Sequence, residues 1–138
     1  MVNSILSSPQ ETVLEQALGA SSLRHKVIAN NIANVNTPGF KKSDVVFEDK
    51  LAAAMDGKSP LPMARTHANH LAGSRQGDAF TPLVVTDTTT SLRTDGNNVD
   101  IDAEMANVAK NTIYYDAVAK QLGRYFTNLK SVIRGGNG

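Results

Sequence analysis

The C-terminal third of the chain carries an apolar pattern that repeats every seven residues. Two series, offset by four and then three residues, are Ile101, Val108, Tyr115, Leu122 and Leu129, and Met105, Thr112, Ala119, Phe126 and Ile133. A continuous seam of this kind predicts a long helix that packs lengthwise against another helix. Acidic residues at 100, 102 and 104 suit its start, and Gly135 suits its end. We therefore predict a helix over 100–134, roughly 50 Å long at 1.5 Å per residue.

A second and weaker seam lies near the N-terminus. Its positions, spaced alternately by four and three, are Leu14, Leu18, Ser21, His25, Ile28, Ile32 and Val35. Pro9 after Ser8 suits a first helical turn, so we predict a helix over 9–36. Two seams at opposite ends of the chain predict an elongated, antiparallel, coiled-coil-like pair within a single domain, 1–138. Because one copy buries little apolar surface along so narrow a seam, we expect the isolated monomer to be only partly folded.

The region between the helices, 37–99, shows no sustained period. It holds Pro60, Pro62 and Pro82, three of the five prolines. Residues 45–55 suit either a short helix or an extended segment, whereas 83–86 and 88–90 are β-prone. Residues 95–98 read Asp-Gly-Asn-Asn, which indicates a turn before the long helix. The fold class is therefore mainly α, with a loop-rich middle that holds a short β-hairpin.

The composition argues against several classes of function. The chain has 14 Lys+Arg against 13 Asp+Glu, without a basic stripe, and only 5% aromatic residues, so it lacks the features of a nucleic-acid binder. The absence of cysteine excludes disulfides and thiolate chemistry. The N-terminus does not resemble a Sec signal peptide, and no segment approaches the roughly 20 apolar residues of a membrane span.

The histidines and acidic clusters give weak signals of chemistry. His67 and His70 lie three residues apart without a third ligand, and surface or loop-packing roles are far more common for such pairs. His25 falls on the N-terminal seam, where packing explains it. The acidic residues at 95, 100 and 102 suit a turn and a helix cap better than a Ca²⁺ loop. We predict no catalytic residue, no metal site and no cofactor.

The most unusual segment runs from Ala29 to Lys41 and has four asparagines within seven residues. Asn30 and Asn34 share a helix face, from which each amide can bond to a neighbouring helix. Asn36 suits the left-handed position that ends a helix. Residues 37–40 fit a type II turn with Gly39 at positive φ, and Phe40 would anchor its exit. Spacing alone explains these features equally well as an ordinary helix C-terminus.

The run from Ala29 to Lys42 resembles the N-terminal signature of bacterial flagellar rod, hook and hook-associated proteins. The residues that carry it are Asn30, Asn31, Asn34, Asn36, Thr37, Pro38, Gly39 and Phe40. A second stretch, 95–105 followed by 111–115, is similar to proximal-rod members of that family. The resemblance is tight over 23–42 and 95–135 and loose in the middle.

The resemblance implies a structural subunit of the periplasmic proximal rod, not an enzyme. Such proteins leave the cell through the flagellar type III apparatus without a cleaved signal. They link the membrane ring and export gate to the distal rod and transmit torque. The implied partners are copies of the chain, other rod proteins, and ring and gate proteins. The interface residues expected on the two seams are Leu14, Leu18, Ile28, Ile32, Met105, Val108, Tyr115, Leu122, Phe126, Leu129 and Ile133.

Other interpretations of the sequence stay open at this point. A paralogous proximal-rod subunit would share the architecture and occupy a different axial position. An unrelated coiled-coil adaptor would account for both seams but not for the Asn-Thr-Pro-Gly run. A small enzyme that uses the histidines would lack a nucleophile, a metal set and a cofactor loop.

Overall fold

The computed structural model describes residues 9–55 and 81–135 of the chain. These residues form three helices and two strands. In chain order the elements are α1 (Pro9–Ala33), β1 (Ser43–Val46), α2 (Glu48–Met55), β2 (Leu83–Thr86) and α3 (Ile101–Ile133). The fold is mainly helical with a small antiparallel sheet in the middle, which confirms the fold class predicted from the sequence.

The two long helices run antiparallel. Asn31 at the end of α1 contacts Glu104 at the start of α3, and the Ser21 carbonyl accepts a hydrogen bond from Asn111. α1 has 25 residues and α3 has 33. Since both helices rise by about 1.5 Å per residue, Pro9 reaches only to about the level of Gly123. The last turns of α3 therefore project beyond the described part of α1.

The local boundary signals of α3 act as predicted. Asp100 has extended backbone angles, and its Oδ1 accepts hydrogen bonds from the amides of Asp102 and Ala103 at 3.0 and 3.3 Å. This is an N-cap, which satisfies donors that the first helical turn leaves free. Lys130 lies in the last turn, and Gly135 follows with φ of 78°.

α1 ends three residues earlier than the sequence predicted, at Ala33 instead of 36. Residues 34–37 continue as turns, in which the Thr37 amide donates to the Asn34 carbonyl at 3.0 Å. No non-glycine residue among those described has a positive φ, so the left-handed assignment for Asn36 is wrong. The carbonyls at this helix end instead find a side-chain donor elsewhere in the chain, described below.

The buried face of α3 does not coincide with the predicted seam. Its residues lie one position before one of the two predicted heptad series. Its buried residues are Glu104, Asn111 and Val118, which recur every seven residues. The predicted series one residue later is largely exposed, although Ala119 is partly buried. A heptad pattern cannot tell which of two adjacent stripes contacts the partner helix, and here buried polar side chains occupy the inner stripe.

On α1 the buried residues are mostly small. They are Ala17, Ala20, Ser21, Ile28 and Asn31. Leu14, Leu18 and Ile32 of the predicted seam are half-buried, and His25 is exposed. The packed role predicted for His25 is therefore wrong.

The apolar core lies where the segment after α1 passes back along the helix pair. Ala20, Val45 and Phe47 are each about 1% exposed and form one cluster. The ring of Tyr114 lies 6.0 Å from that of Phe47, and Leu23, Val27 and Leu51 complete the packing. This cluster fixes β1 against both long helices.

The two strands pair antiparallel, with Ser43 opposite Thr86 and Val46 opposite Leu83. This is the small antiparallel element predicted for the middle of the chain, and α2 and the segment that follows it lie between its two strands. Residues 88–90 do not extend β2. The hydroxyl and amide groups of Thr89 and Thr90 donate to the carboxylate of Asp87 instead. The predicted histidine pair, His67 and His70, lies outside the described residues.

Candidate assembly site

Residues 37–40, which we call the signature turn, adopt the conformation that the sequence predicted. The Phe40 amide donates to the Thr37 carbonyl at 3.3 Å, and Gly39 has φ of 72°. These features match a type II turn, in which glycine avoids the strain that a side chain meets at positive φ. The Gly39 amide donates to the Asp95 carbonyl at 2.9 Å. The turn is thus joined directly to the loop that precedes α3.

Asn97 binds the end of α1 from that loop. It is fully buried, and its Nδ2 contacts the carbonyls of Asn34, Val35 and Thr37 at 3.0, 3.1 and 2.9 Å. Its Oδ1 accepts from the Val99 amide at 2.7 Å. These carbonyls belong to the turns that follow α1. Asn97 therefore holds these turns against the loop before α3, from a position 60 residues away in sequence from Thr37.

Asn98, the next residue, bonds to the segments that lie before β1 and after β2. Its Oδ1 accepts from the Lys42 amide at 2.7 Å. Its Nδ2 donates to the Asp87 carbonyl at 2.9 Å and to Thr90 Oγ1 at 3.0 Å. Adjacent asparagines thus join the end of α1, the entry to β1 and the loop after β2. We call the contacts that Asn97 and Asn98 make here, together with those of Asn31 described next, the asparagine junction.

Asn31 joins the two long helices and the sheet. Its amide exchanges two hydrogen bonds with the backbone of Ser43, at 2.8 and 3.0 Å, as a neighbouring strand would. Its Nδ2 also donates to Glu104 Oε2 at 3.0 Å, and both side chains are at least 95% buried. The sequence predicted that Asn30 and Asn34 bond to a neighbouring helix. Among the described residues Asn30 is exposed, and Asn34, which follows the last residue of α1, donates to the Asn30 carbonyl.

Arg24 reinforces the same region from the middle of α1. Its guanidinium forms an ion pair with Glu48 at 2.6 Å and also donates to the Val45 carbonyl. It lies 4.4 Å from the centroid of the Phe47 ring, within cation–π range. Burial raises the pKa of Glu48, but hydrogen bonds from Arg24 and the backbone outweigh burial and leave that pKa lowered. Burial and the charge of Glu48 raise the pKa of Tyr114.

A polar cleft of about 540 Å³ lies between α1, β1 and α3. Its walls include Arg24, Glu48, Glu104 and Asn111. Asn111 donates to the Ser21 carbonyl at 2.9 Å, while its buried Oδ1 has no partner among the described residues. Within 9–55 and 81–135, no group of His, Asp and Glu side chains is arranged to hold a metal ion. None of the described helices has the length and apolar character of a membrane span.

Several of these contacts were not predicted. The sequence marked Asn97 and Asn98 only as a turn and Glu104 only as an acid suited to the start of α3, and it gave no role to Arg24. Two consecutive asparagines before a long helix are a usable signal, because buried amides nearly always find partners. The carbonyls that Asn97 binds after α1 and the Lys42 amide that Asn98 binds lie 56 to 63 residues away, beyond the reach of local patterns.

The outer stripe of α3 is the candidate assembly surface. It consists of Ile101, Met105, Tyr115, Phe126 and Ile133, which are 47, 55, 39, 43 and 71% exposed. Val108, Leu122 and Leu129 are half-buried at its border with the inner face. The described residues leave each of these five side chains at least 39% exposed. Exposed apolar side chains grouped in this way often mark a site of interaction with another protein.

Comparison with known proteins agrees with the signature and with the layout of the chain. The family model for "Flagella basal body rod protein" matches residues 12–41. The flagellar basal body rod protein FlgB of Bacillus subtilis is 37% identical over 123 residues, covering 89% of this chain and 92% of that protein. FlgB of Borrelia hermsii is 38% identical over 121 residues, covering 85% and 90%. FlgB of Salmonella typhimurium is 30% identical over 128 residues, covering 89% and 91%. The chain belongs to the FlgB family of flagellar basal body rod proteins.

Proposed function

We propose that this chain is a subunit of the proximal rod that assembles by burying the outer stripe of α3 against neighbouring subunits. The exposed stripe carries the proposal. Fully burying one large apolar side chain contributes about 1.5–3 kcal/mol, and these residues retain roughly half of their surface for that purpose. Their heptad spacing suits lengthwise packing against another helix.

The position of the subunit in the rod is a further part of the proposal. We propose that copies of the chain and other rod subunits surround it, with membrane-ring and export-gate proteins at the rod base. In that position the chain links the ring and gate to the distal rod and carries torque. The junction supports this role, because a hydrogen-bonded link between the two helices resists their separation under load. Export through the flagellar type III apparatus without a cleaved signal also belongs to this proposal.

The test of assembly is Phe126→Asp, which places a charge in the middle of the outer stripe. We expect the variant to leave the cytoplasm but to be missing from purified basal bodies, and the cells to lose swimming. The fold of the monomer should change little, because Phe126 is 43% exposed. Immunoblots of basal bodies, swimming zones and circular dichroism measure the three quantities.

Asn128→Asp is the matched control for this substitution. Asn128 is exposed on the same helix, and its replacement adds the same charge outside the stripe. We expect this variant to incorporate and to support swimming. Normal incorporation of Phe126→Asp would contradict the proposal, because the stripe would then be exposed to solvent in the assembled rod.

A further inference from the structure

The two-stranded sheet has one edge that the chain itself satisfies. On β1, the backbone groups that point away from β2 belong to Ser43 and Val45. The side chain of Asn31 bonds to both the amide and the carbonyl of Ser43. The Val45 carbonyl accepts from Arg24, and the Val45 amide donates to Asp44 Oδ1. Side chains therefore take the place of a third strand along the outer edge of β1.

β2 carries the opposite edge of the sheet, and its backbone groups there are open. The Asp87 amide donates to the Lys42 carbonyl at 3.0 Å, directly after the paired residues of the two strands. Backbone groups of alternate residues in an antiparallel strand point to the same side, so the amides and carbonyls of Val84 and Thr86 point away from β1. None of these four groups has a hydrogen-bond partner in the described part of the chain.

The side chains of β2 are mostly apolar and accessible. Leu83, Val84 and Val85 are 58, 44 and 45% exposed. The strand Leu83–Thr86 contains no charged residue and no proline, which natural proteins commonly place on edge strands to prevent pairing with another chain. Open backbone groups beside apolar side chains are the features with which a sheet edge binds a further strand. The ligand that fits this edge is therefore an extended polypeptide segment.

We infer that β2 pairs antiparallel with β2 of a second copy, which joins two sheets into one of four strands. A two-fold arrangement that places Val84 opposite Thr86 satisfies every open group, with two hydrogen bonds in each of its two pairs. Val85 then lies opposite its own copy at the two-fold axis, as a non-hydrogen-bonded pair of apolar side chains. A second copy fits because the symmetry matches each open amide to an open carbonyl and brings no like charges together.

This pairing belongs to the free chain and goes beyond the proposed rod assembly. A two-fold contact uses the same edge on both copies, so the pair closes and does not continue into a filament. A rod has a direction, whereas two copies related by this axis point in opposite directions. An interface of two four-residue strands falls in the small and weak class, so the pair can separate before the copies join the rod.

Disulfide trapping tests the register, because the chain has no cysteine of its own. Opposite residues of a non-hydrogen-bonded pair have Cα atoms about 4.5 Å apart, which a disulfide can span. The full-length chain with Val85→Cys should therefore oxidise to a dimer and to no larger species. Leu83→Cys is the matched control, because Leu83 is more exposed on the same face, yet its two copies lie roughly 13 Å apart along the strands. Equal dimer in both variants, or none with Val85→Cys, would overturn the inference.

Sedimentation velocity of the full-length chain tests the pairing without a crosslink. Val85→Lys places two like charges directly opposite each other, so we expect it to weaken dimerisation by about tenfold or more. Leu83→Lys adds the same charge to the same strand but places it opposite Asp87 of the second copy, so it should dimerise like the natural chain. Equal weakening by the two substitutions would contradict the pairing.

Hydrogen exchange identifies any other occupant of this edge. In the natural chain, exchange at the Val84 and Thr86 amides should be rapid in dilute solution and should slow as the concentration rises. Protection of these amides in a monomer at every concentration would show that the chain covers its own edge. A Val85→Cys chain that crosslinks only to a different protein in cells would assign the edge to that protein. Either result would overturn the inference.

Discussion

The asparagine junction and the C-terminal end of α3 lie at opposite ends of the same helix pair and use opposite kinds of surface. At the junction, the polar side chains of Asn31, Asn97 and Asn98 are buried and hydrogen-bonded within the chain. At the C-terminal end of α3, apolar side chains such as Val132 and Ile133 face outward without a partner among the described residues.

The difference shows how one chain separates folding from assembly. Hydrogen bonds are directional, and a buried polar group without a partner is costly, so the junction fixes one geometry. Apolar burial is not directional and scales with the area removed from water, so an exposed stripe can bind any apolar surface of matching shape. The junction orients the helices, and the exposed stripe remains available to other subunits.

The largest effect is expected from removing the central amide of the junction. Asn97→Ala leaves the Val99 amide without its acceptor. It also removes one donor from the carbonyls of Asn34, Val35 and Thr37, which keep a second donor each. Because an unsatisfied buried group costs about 1–3 kcal/mol, we expect the free energy of unfolding to fall by roughly 2 kcal/mol. Denaturant unfolding measures the change.

Asn128→Ala at the exposed end is the control for the asparagine substitution. It removes the same group from a solvent-exposed helix position, so it should leave stability within about 0.5 kcal/mol. Similar losses in both variants would erase the distinction between the two regions.

Two glycines sharpen the comparison through effects of opposite sign. Gly39→Ala should destabilise the chain by about 1 kcal/mol, because its φ of 72° strains an L-residue. Gly123→Ala should stabilise it by up to about 1 kcal/mol, because Gly123 lies inside α3 with open space around it. Thermal melts of both variants measure this. Effects of the same sign would refute either the turn or the helix assignment.

The turn should also affect motility. We expect Gly39→Ala to reduce swimming while export continues, because the turn directs the chain leaving α1. Swimming at the natural level in the Gly39→Ala strain would show that this direction is not required for rod assembly.

The smallest effect is expected at Asp87, beside the junction. Hydrogen bonds from Thr90 and Thr89 hold its pKa below the usual value of 3.8. A carboxyl whose pKa is lowered by folding contributes stability above its unfolded pKa and loses it as pH falls through the folded value. Asp87→Asn should therefore flatten the loss of stability below about pH 4. Denaturation midpoints between pH 5 and 2 test this, and equal slopes would contradict it.

Features governed by neighbouring residues were predictable from the sequence. The cap at Asp100 and the positive φ of Gly39 follow from local backbone rules, and both are observed. The inner face of α3 was not predictable, because Glu104 and Asn111 break the rule that buried positions are apolar. Their burial depends on Asn31 and on the Ser21 carbonyl, 73 and 90 residues away. The heptads identified the apolar stripe correctly as a pattern but could not show that much of it faces away from α1.

The central claim is that the asparagine junction is ordered in the single chain, whereas the end of α3 becomes ordered only in the assembly. Residue-resolved hydrogen exchange tests this most directly, by comparing the purified monomer with the assembled rod. In the monomer, amides at Asn97–Val99 and in α3 up to Gly123 should be protected, while those of 124–134 exchange rapidly. Assembly should then protect 124–134. Uniform protection along α3 in the monomer, or a C-terminal end of α3 that stays unprotected in the rod, would contradict the account.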